Sequence, residues 1–101
     1  MFIAKDEFGR VICAHCGNCC GLTVDHFIPK SCGMSVNENG NYVGLCWKCN
    51  NEKADRVVLP AWNKYLKDEQ KERLDRIMRY SRSWIITHTD DPEVVEYVLN
   101  L

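Results

Sequence analysis

At 101 residues the chain has room for one small domain, of a size that commonly leans on a metal or on disulfides to support a modest core. Its formal net charge of −1 excludes a uniformly basic nucleic-acid binder, and no run approaches the roughly 20 apolar residues of a membrane span. Seven cysteines is an odd number and the first ten residues lack a signal-peptide core, so the thiols are read as reduced, cytoplasmic and metal-binding rather than as a disulfide framework.

The chain opens on a short mixed segment in which Phe8 to Ile12 reads as a turn into a strand. Cys13, Cys16, Cys19 and Cys20 follow. A C-x-x-C turn sets two thiolates on one side of a tight loop, as tetrahedral zinc requires, and both Cys13/Cys16 and Cys16/Cys19 have that spacing. His15 lies between them and reads as an exposed loop residue. Leu22 to Asp25 alternates apolar and polar, the period of a strand, and Pro29 blocks its regular continuation. Residues 30–40, rich in Gly and Asn, read as a loop, and Tyr42 to Leu45 as a second strand. A helix from Cys46 to about Arg56 then carries the second C-x-x-C, Cys46/Cys49, with Trp47 assigned to the core.

Val57 to Pro60 is an apolar connector, and Ala61 to Leu66 reads as a short helix. Asp68 to about Ser83 has the pattern of an amphipathic helix: Leu74, Ile77, Met78 and Ser81 recur at three- and four-residue steps, with Asp68 as N-cap. Trp84 to Ile86 either extends that helix or begins a turn. Asp90-Asp91-Pro92-Glu93 is a helix start, with a capping Asp, Pro near the first position and Glu in the first turn. Val94, Val95, Val98 and Leu101 give the last helix an apolar face. Charge is unevenly spread. Residues 1–46 hold three Lys/Arg against four Asp/Glu, residues 47–82 ten against six, and residues 83–101 none against four. A basic middle suits a phosphate-facing surface and equally suits a solvated helix face.

Three pieces stand in order: Cys13-Ala14-His15-Cys16-Gly17, then Leu22-Thr23-Val24-Asp25-His26-Phe27-Ile28-Pro29, then Asn41 through Leu45-Cys46-Trp47-Lys48-Cys49-Asn50 to Lys53. This ordered set, covering roughly residues 11–56, resembles the HNH endonucleases in the form that carries a zinc-binding C-x-x-C on each side of the active site. The residue at the position of the family's last letter is Asn50. The resemblance implies a small α+β fold: a ββα-metal (His-Me finger) core over 1–56 with a structural zinc site, and a helical extension over 57–101 packed on it. It selects Cys13 and Cys16 to join Cys46 and Cys49 around one zinc ion. Cys19, Cys20 and Cys32 are left as free thiols or small packing residues.

Phosphodiester cleavage needs an activated water, a cation on the phosphate and help for the leaving oxygen. In the implied mechanism His26 is the general base, because an imidazole can accept a proton at neutral pH. Asp25 and Asn50 offer oxygens to one hard divalent cation, Mg²⁺ by preference. Asn41 ties the loop and aims His26, and Lys53, on the face of Asn50, holds a phosphate oxygen. The expected partner is DNA, with a phage-type packaging machinery as a further candidate. The competing reading is a zinc-ribbon-like binding or accessory module without activity, and a third is a dimeric junction resolvase. The trio Asp25, His26 and Asn50 separates the first from the second, since a pure binding module has no need of it.

Overall fold

The structure, a computed structural model, describes residues 1–18, 21–29 and 40–101. The expected loop over 30–40 therefore lies, but for Gly40, outside the described residues, as do Cys19, Cys20 and Cys32. The architecture is small and α+β, with two two-stranded sheets and four α-helices among the described residues. β1 (Ala4–Lys5) and β2 (Val11–Ile12) pair antiparallel across a turn in which Asp6 Oδ1 accepts from the amides of Phe8 and Arg10. β3 (Leu22–His26) and β4 (Tyr42–Cys46) form the longer antiparallel pair, in register from Leu22↔Cys46 to His26↔Tyr42. β4 runs directly into α1 (Trp47–Lys53), which packs on both strands.

Strand alternation explains what this hairpin presents. Thr23 and Asp25 share one face with their cross-strand partners Leu45 and Val43, both buried. Val24 and His26 share the other face with Gly44 and Tyr42. The connection between the strands is too long for a tight turn, and Asn41 closes its base. Asn41 is fully buried. Its side-chain oxygen accepts from Ile28 N (2.8 Å), its Nδ2 donates to Ile28 O (2.7 Å), and its own carbonyl accepts from Phe27 N (2.9 Å). One side chain thus carries the ladder past its last residue pair.

After α1 the chain leaves through Ala54, whose φ is +48°, to a 3-10 turn at Pro60–Trp62, shorter than the helix expected over 61–66. α2 spans Asp68–Tyr80, α3 Arg82–His88 and α4 Pro92–Leu99. The N-cap of α2 is Lys67, not Asp68. Asp68 is the first helical residue, where its charge suits the helix dipole, and Gln70 Oε1 takes the Lys67 amide. The expected single helix to Ser83 breaks at Ser81, which is buried at the α2–α3 corner. α4 starts as the sequence predicts, with Asp91 Oδ1 accepting from Glu93 N at 2.9 Å and Pro92 in first position.

Buried residues from both halves form one cluster, from Phe2, Ile12, Phe27 and Leu45 to Leu74, Met78, Ile85, Val94 and Val98. α2 reaches the N-terminal segment through Gln70 Nε2, on Ile3 O at 3.1 Å, and through Arg73, whose guanidinium lies 5.1 Å from the Phe2 ring centre. No helix among the described residues is long and apolar enough to cross a membrane.

α4 is tied to α2 by Tyr97, whose hydroxyl donates to Asp75 Oδ1 at 2.5 Å. Burial and this carboxylate push the Tyr97 hydroxyl up from its ordinary 10.0 to about 12. The folded chain therefore holds that proton more tightly than the unfolded chain, so the stabilisation is complete below about pH 10 and is lost as pH rises through about 12. Tyr97→Phe is expected to lower the melting temperature by about 5 °C at pH 8. It should also flatten the fall in stability between about pH 10 and 12; parallel pH profiles for the two proteins in thermal melts would refute the assignment.

Candidate metal centre and strand–helix site

Cys13, Cys16, Cys46 and Cys49 converge, with all four sulfurs within 4.8 Å of one another. The Cys16 and Cys46 sulfurs are 3.7 Å apart, close to the edge of about 3.8 Å for a tetrahedron with metal–sulfur bonds of about 2.3 Å. The four thiols are free, and all but Cys16 are buried. Each C-x-x-C is shaped by local hydrogen bonds. In the first, Gly17 N bonds Cys13 O, Cys13 N bonds Asn18 O, and Gly17 sits at φ +80°. In the second, Cys46 is the N-cap of α1, its sulfur accepting from Cys49 N at 3.5 Å.

The electrostatics suit a cation. Burial alone would raise the Cys13 thiol, but the amides of Cys16, Cys46 and His15 and the Cys16 thiol outweigh it and bring it down to about 7. Burial and the thiols of Cys46, Cys16 and Cys13 push Cys49 strongly upward. The bare cluster thus favours a first thiolate and resists a full set, which a divalent ion would stabilise. Among the described residues Cys13 and Cys16 meet the second pair, and Cys19, which completes the other spacing, lies outside them. Four thiols in this arrangement are consistent with a structural zinc site.

The first knuckle is clamped from outside by the segment after α1. Tyr65 N donates to Ala14 O at 2.9 Å, and the Tyr65 ring lies where a side chain on Gly17 would have to go, 2.8 Å from an added Cβ. His15, expected as an exposed loop residue, is half-buried and stacks on Trp62 with ring centres 3.8 Å apart and 7° between planes. Its Nδ1 lies 2.5 Å from Trp62 O, and a ligating atom of His15 lies within 4.8 Å of those of Cys49 and Glu52. Spacing alone could not reveal this contact, since His15 and Trp62 are 47 residues apart.

The second group of candidate residues lies at the β3–α1 interface. Asn50 Nδ2 donates to Thr23 Oγ1 (2.8 Å), which in turn donates to Leu45 O (3.0 Å). One turn further along α1, Lys53 Nζ lies 3.0 Å from Asp25 Oδ2 and donates to His26 O at 2.8 Å. Asp25 and Asn50 are therefore brought to one strand–helix interface. Asp25 Oδ2 is buried and, the ammonium contact apart, has no hydrogen-bond partner. The Lys53 side chain is 3% exposed, so it is turned inward onto Asp25 rather than outward to a phosphate as expected. His26 is half-buried on the opposite face, its ring 4.8 Å from that of Tyr42, its cross-strand partner. Trp47, assigned to the core, is 68% exposed. It precedes Cys49 by two residues, about 200° around the helix, and Cys49 and Lys53 define the buried face.

The bonds of the Asn41 side chain to the Ile28 backbone can be tested directly. Asn41→Ala would leave the buried Ile28 N–H and C=O without partners, at a cost of about 3 kcal/mol. Chemical denaturation should register that loss, and a change under 1 kcal/mol would refute the reading. No protein-family model matches the chain, and no match is found among the curated proteins or the solved structures.

Proposed function

We propose that this chain is a zinc-stabilised, divalent-metal-dependent endonuclease of the HNH type, acting on DNA through a ββα-metal core formed by β3, β4 and α1. One observation carries the reading. α1 reaches back to β3 with Asn50 on Thr23 and Lys53 on Asp25, which sets an amide and a carboxylate at one interface, with His26 next to Asp25 in the chain and on the other face of the strand end. A cysteine cluster suited to zinc stands at the start of the same helix, since Cys46 ends β4 and caps α1.

In this reading each side chain has a task. The Asp25 carboxylate, whose Oδ2 is paired with Lys53 Nζ at 3.0 Å, and the side-chain oxygen of Asn50 would supply the hard oxygen donors that a Mg²⁺-like ion prefers. Such an ion, when bound, would neutralise charge on the phosphate and on the leaving oxygen. His26 accepts the proton of the attacking water, and its place as the last residue of β3 opens it to a substrate lying across the strand end. Asn41 and the Lys53 bond to His26 O hold that strand end in place. Lys53 is here a positioning residue that balances the Asp25 charge. The phosphate backbone would be held by exposed basic side chains such as Lys48 and Arg76.

The same ion pair supports a second reading. An Asp25 already neutralised by Lys53 can be a structural acid, and the chain would then be a zinc-bearing binding module, accessory to a larger DNA-processing assembly. Plasmid relaxation separates the two. Zinc-loaded protein with Mg²⁺ should nick supercoiled DNA. Brief EDTA should abolish nicking while circular dichroism is unchanged, because a closed thiolate site releases zinc slowly and an oxygen site is weak. Absence of nicking with every divalent ion tried would leave the binding module as the better account. Loss of both signals together would mean that one metal serves both purposes.

A further inference from the structure

A groove of about 900 Å³ lies between the exit of α1, the connector after it and the α3–α4 corner, and none of the residues assigned above to cleavage lines it. Its floor is apolar, with Val57, Leu59, Trp62, Trp84 and Val94. Its rim carries four exposed carboxylates, Asp55, Asp90, Asp91 and Glu93. Arg56 also lines it, but its guanidinium is turned to the end of α1, with Nε 3.3 Å from Lys53 O and an Nη 2.9 Å from Glu52 O. α3 ends at this groove, at Thr89, so its C-terminal dipole adds to the negative field, whereas the end of α1 is offset by the Arg56 guanidinium. Trp84 stacks on His88 with ring centres 4.4 Å apart, which gives one wall a flat aromatic face of the kind that attracts organic cations.

We infer that this groove docks a basic peptide segment of a partner protein, in which an apolar side chain enters the floor and flanking Lys or Arg side chains meet the carboxylate rim. Volume and lining suit a few residues of extended chain. The charge selects the occupant: a cationic segment is drawn in, and a nucleic-acid backbone is repelled. The groove would thus serve a second partner, and the inference is independent of the nuclease reading.

The probe is a fluorescein-labelled peptide of alternating Arg and Leu, with a Glu/Leu peptide of equal length as counterpart, titrated with full-length, zinc-loaded protein at 150 mM salt. The Arg/Leu peptide should bind and the Glu/Leu peptide should not. Amide shifts in ¹H–¹⁵N spectra should centre on the groove, at Val57, Trp84 and Val94. The exposed double substitution Asp90→Lys/Glu93→Lys should weaken binding about tenfold. The distant Glu7→Lys should leave it unchanged within twofold. Absence of binding, shifts centred elsewhere, equal binding of the acidic peptide, or an unchanged double variant would each overturn the proposal. So would sedimentation showing that the free protein dimerises through Trp84, since the occupant would then be a second copy.

Discussion

Cys46→Ser is expected to give a protein that holds less than one zinc ion per chain and shows no cooperative thermal unfolding. The substitution is informative because it separates the two roles of Cys46. Serine is a favourable N-cap, so the start of α1 keeps its side-chain acceptor. The sulfur 3.7 Å from Cys16 is what disappears. Structural zinc contributes about 10–16 kcal/mol of apparent free energy in small zinc-folded peptides, comparable to the whole stability of a domain of this size. Metal analysis combined with circular dichroism melts gives the result directly. Full zinc occupancy with a wild-type melt would remove Cys46 from the ligand set.

His26→Ala should lower the cleavage rate by roughly 10²–10⁴-fold, the usual contribution of a positioned general base. Affinity for DNA should stay within about twofold, since phosphate contacts from basic side chains dominate it. The fold should survive as well, because His26 is half-buried and Lys53 bonds its backbone carbonyl, not its ring. His88→Ala is the appropriate control. It is exposed, on α3, and remote in the chain from β3. His15→Ala is not a clean control, because His15 stacks on Trp62 against the first cysteine knuckle. Wild-type cleavage by His26→Ala would assign the base elsewhere. Equal loss in His88→Ala would point to instability rather than chemistry.

What could be read from the sequence was local. The two C-x-x-C pairs, the strands on either side of the long connection and the Asp91-Pro92-Glu93 helix start all depend on residues within a few positions of one another. Misreadings arose where distant segments decide. The apolar row Leu74, Met78, Ser81, Ile85 keeps its period straight through Ser81, so periodicity gives no sign of the corner there. Trp47 looks like a core residue by composition, and the inward positions of Cys49, in the cysteine cluster, and Lys53 turn it outward. Lys53 looks like a surface cation until Asp25 is brought against it, 28 residues away along the chain. Two arginines likewise meet distant segments: Arg73 of α2, though exposed, lies over the Phe2 ring, and Arg82, the first residue of α3, reaches Leu101 O.

The clamp on the first knuckle bears on where this chain can be divided. A protease cut, or a designed truncation, at residue 56 would look natural by motif, because the last matching residue lies just before it. It would also strip the Tyr65 amide from Ala14 O, lift the Tyr65 ring from Gly17 and remove the indole beneath His15. Three supports of the cysteine loop would vanish with a segment that contains no cysteine. A piece that ends before Tyr65 is therefore expected to surrender zinc to a chelator faster than the whole chain, although every sulfur of the cluster is still present.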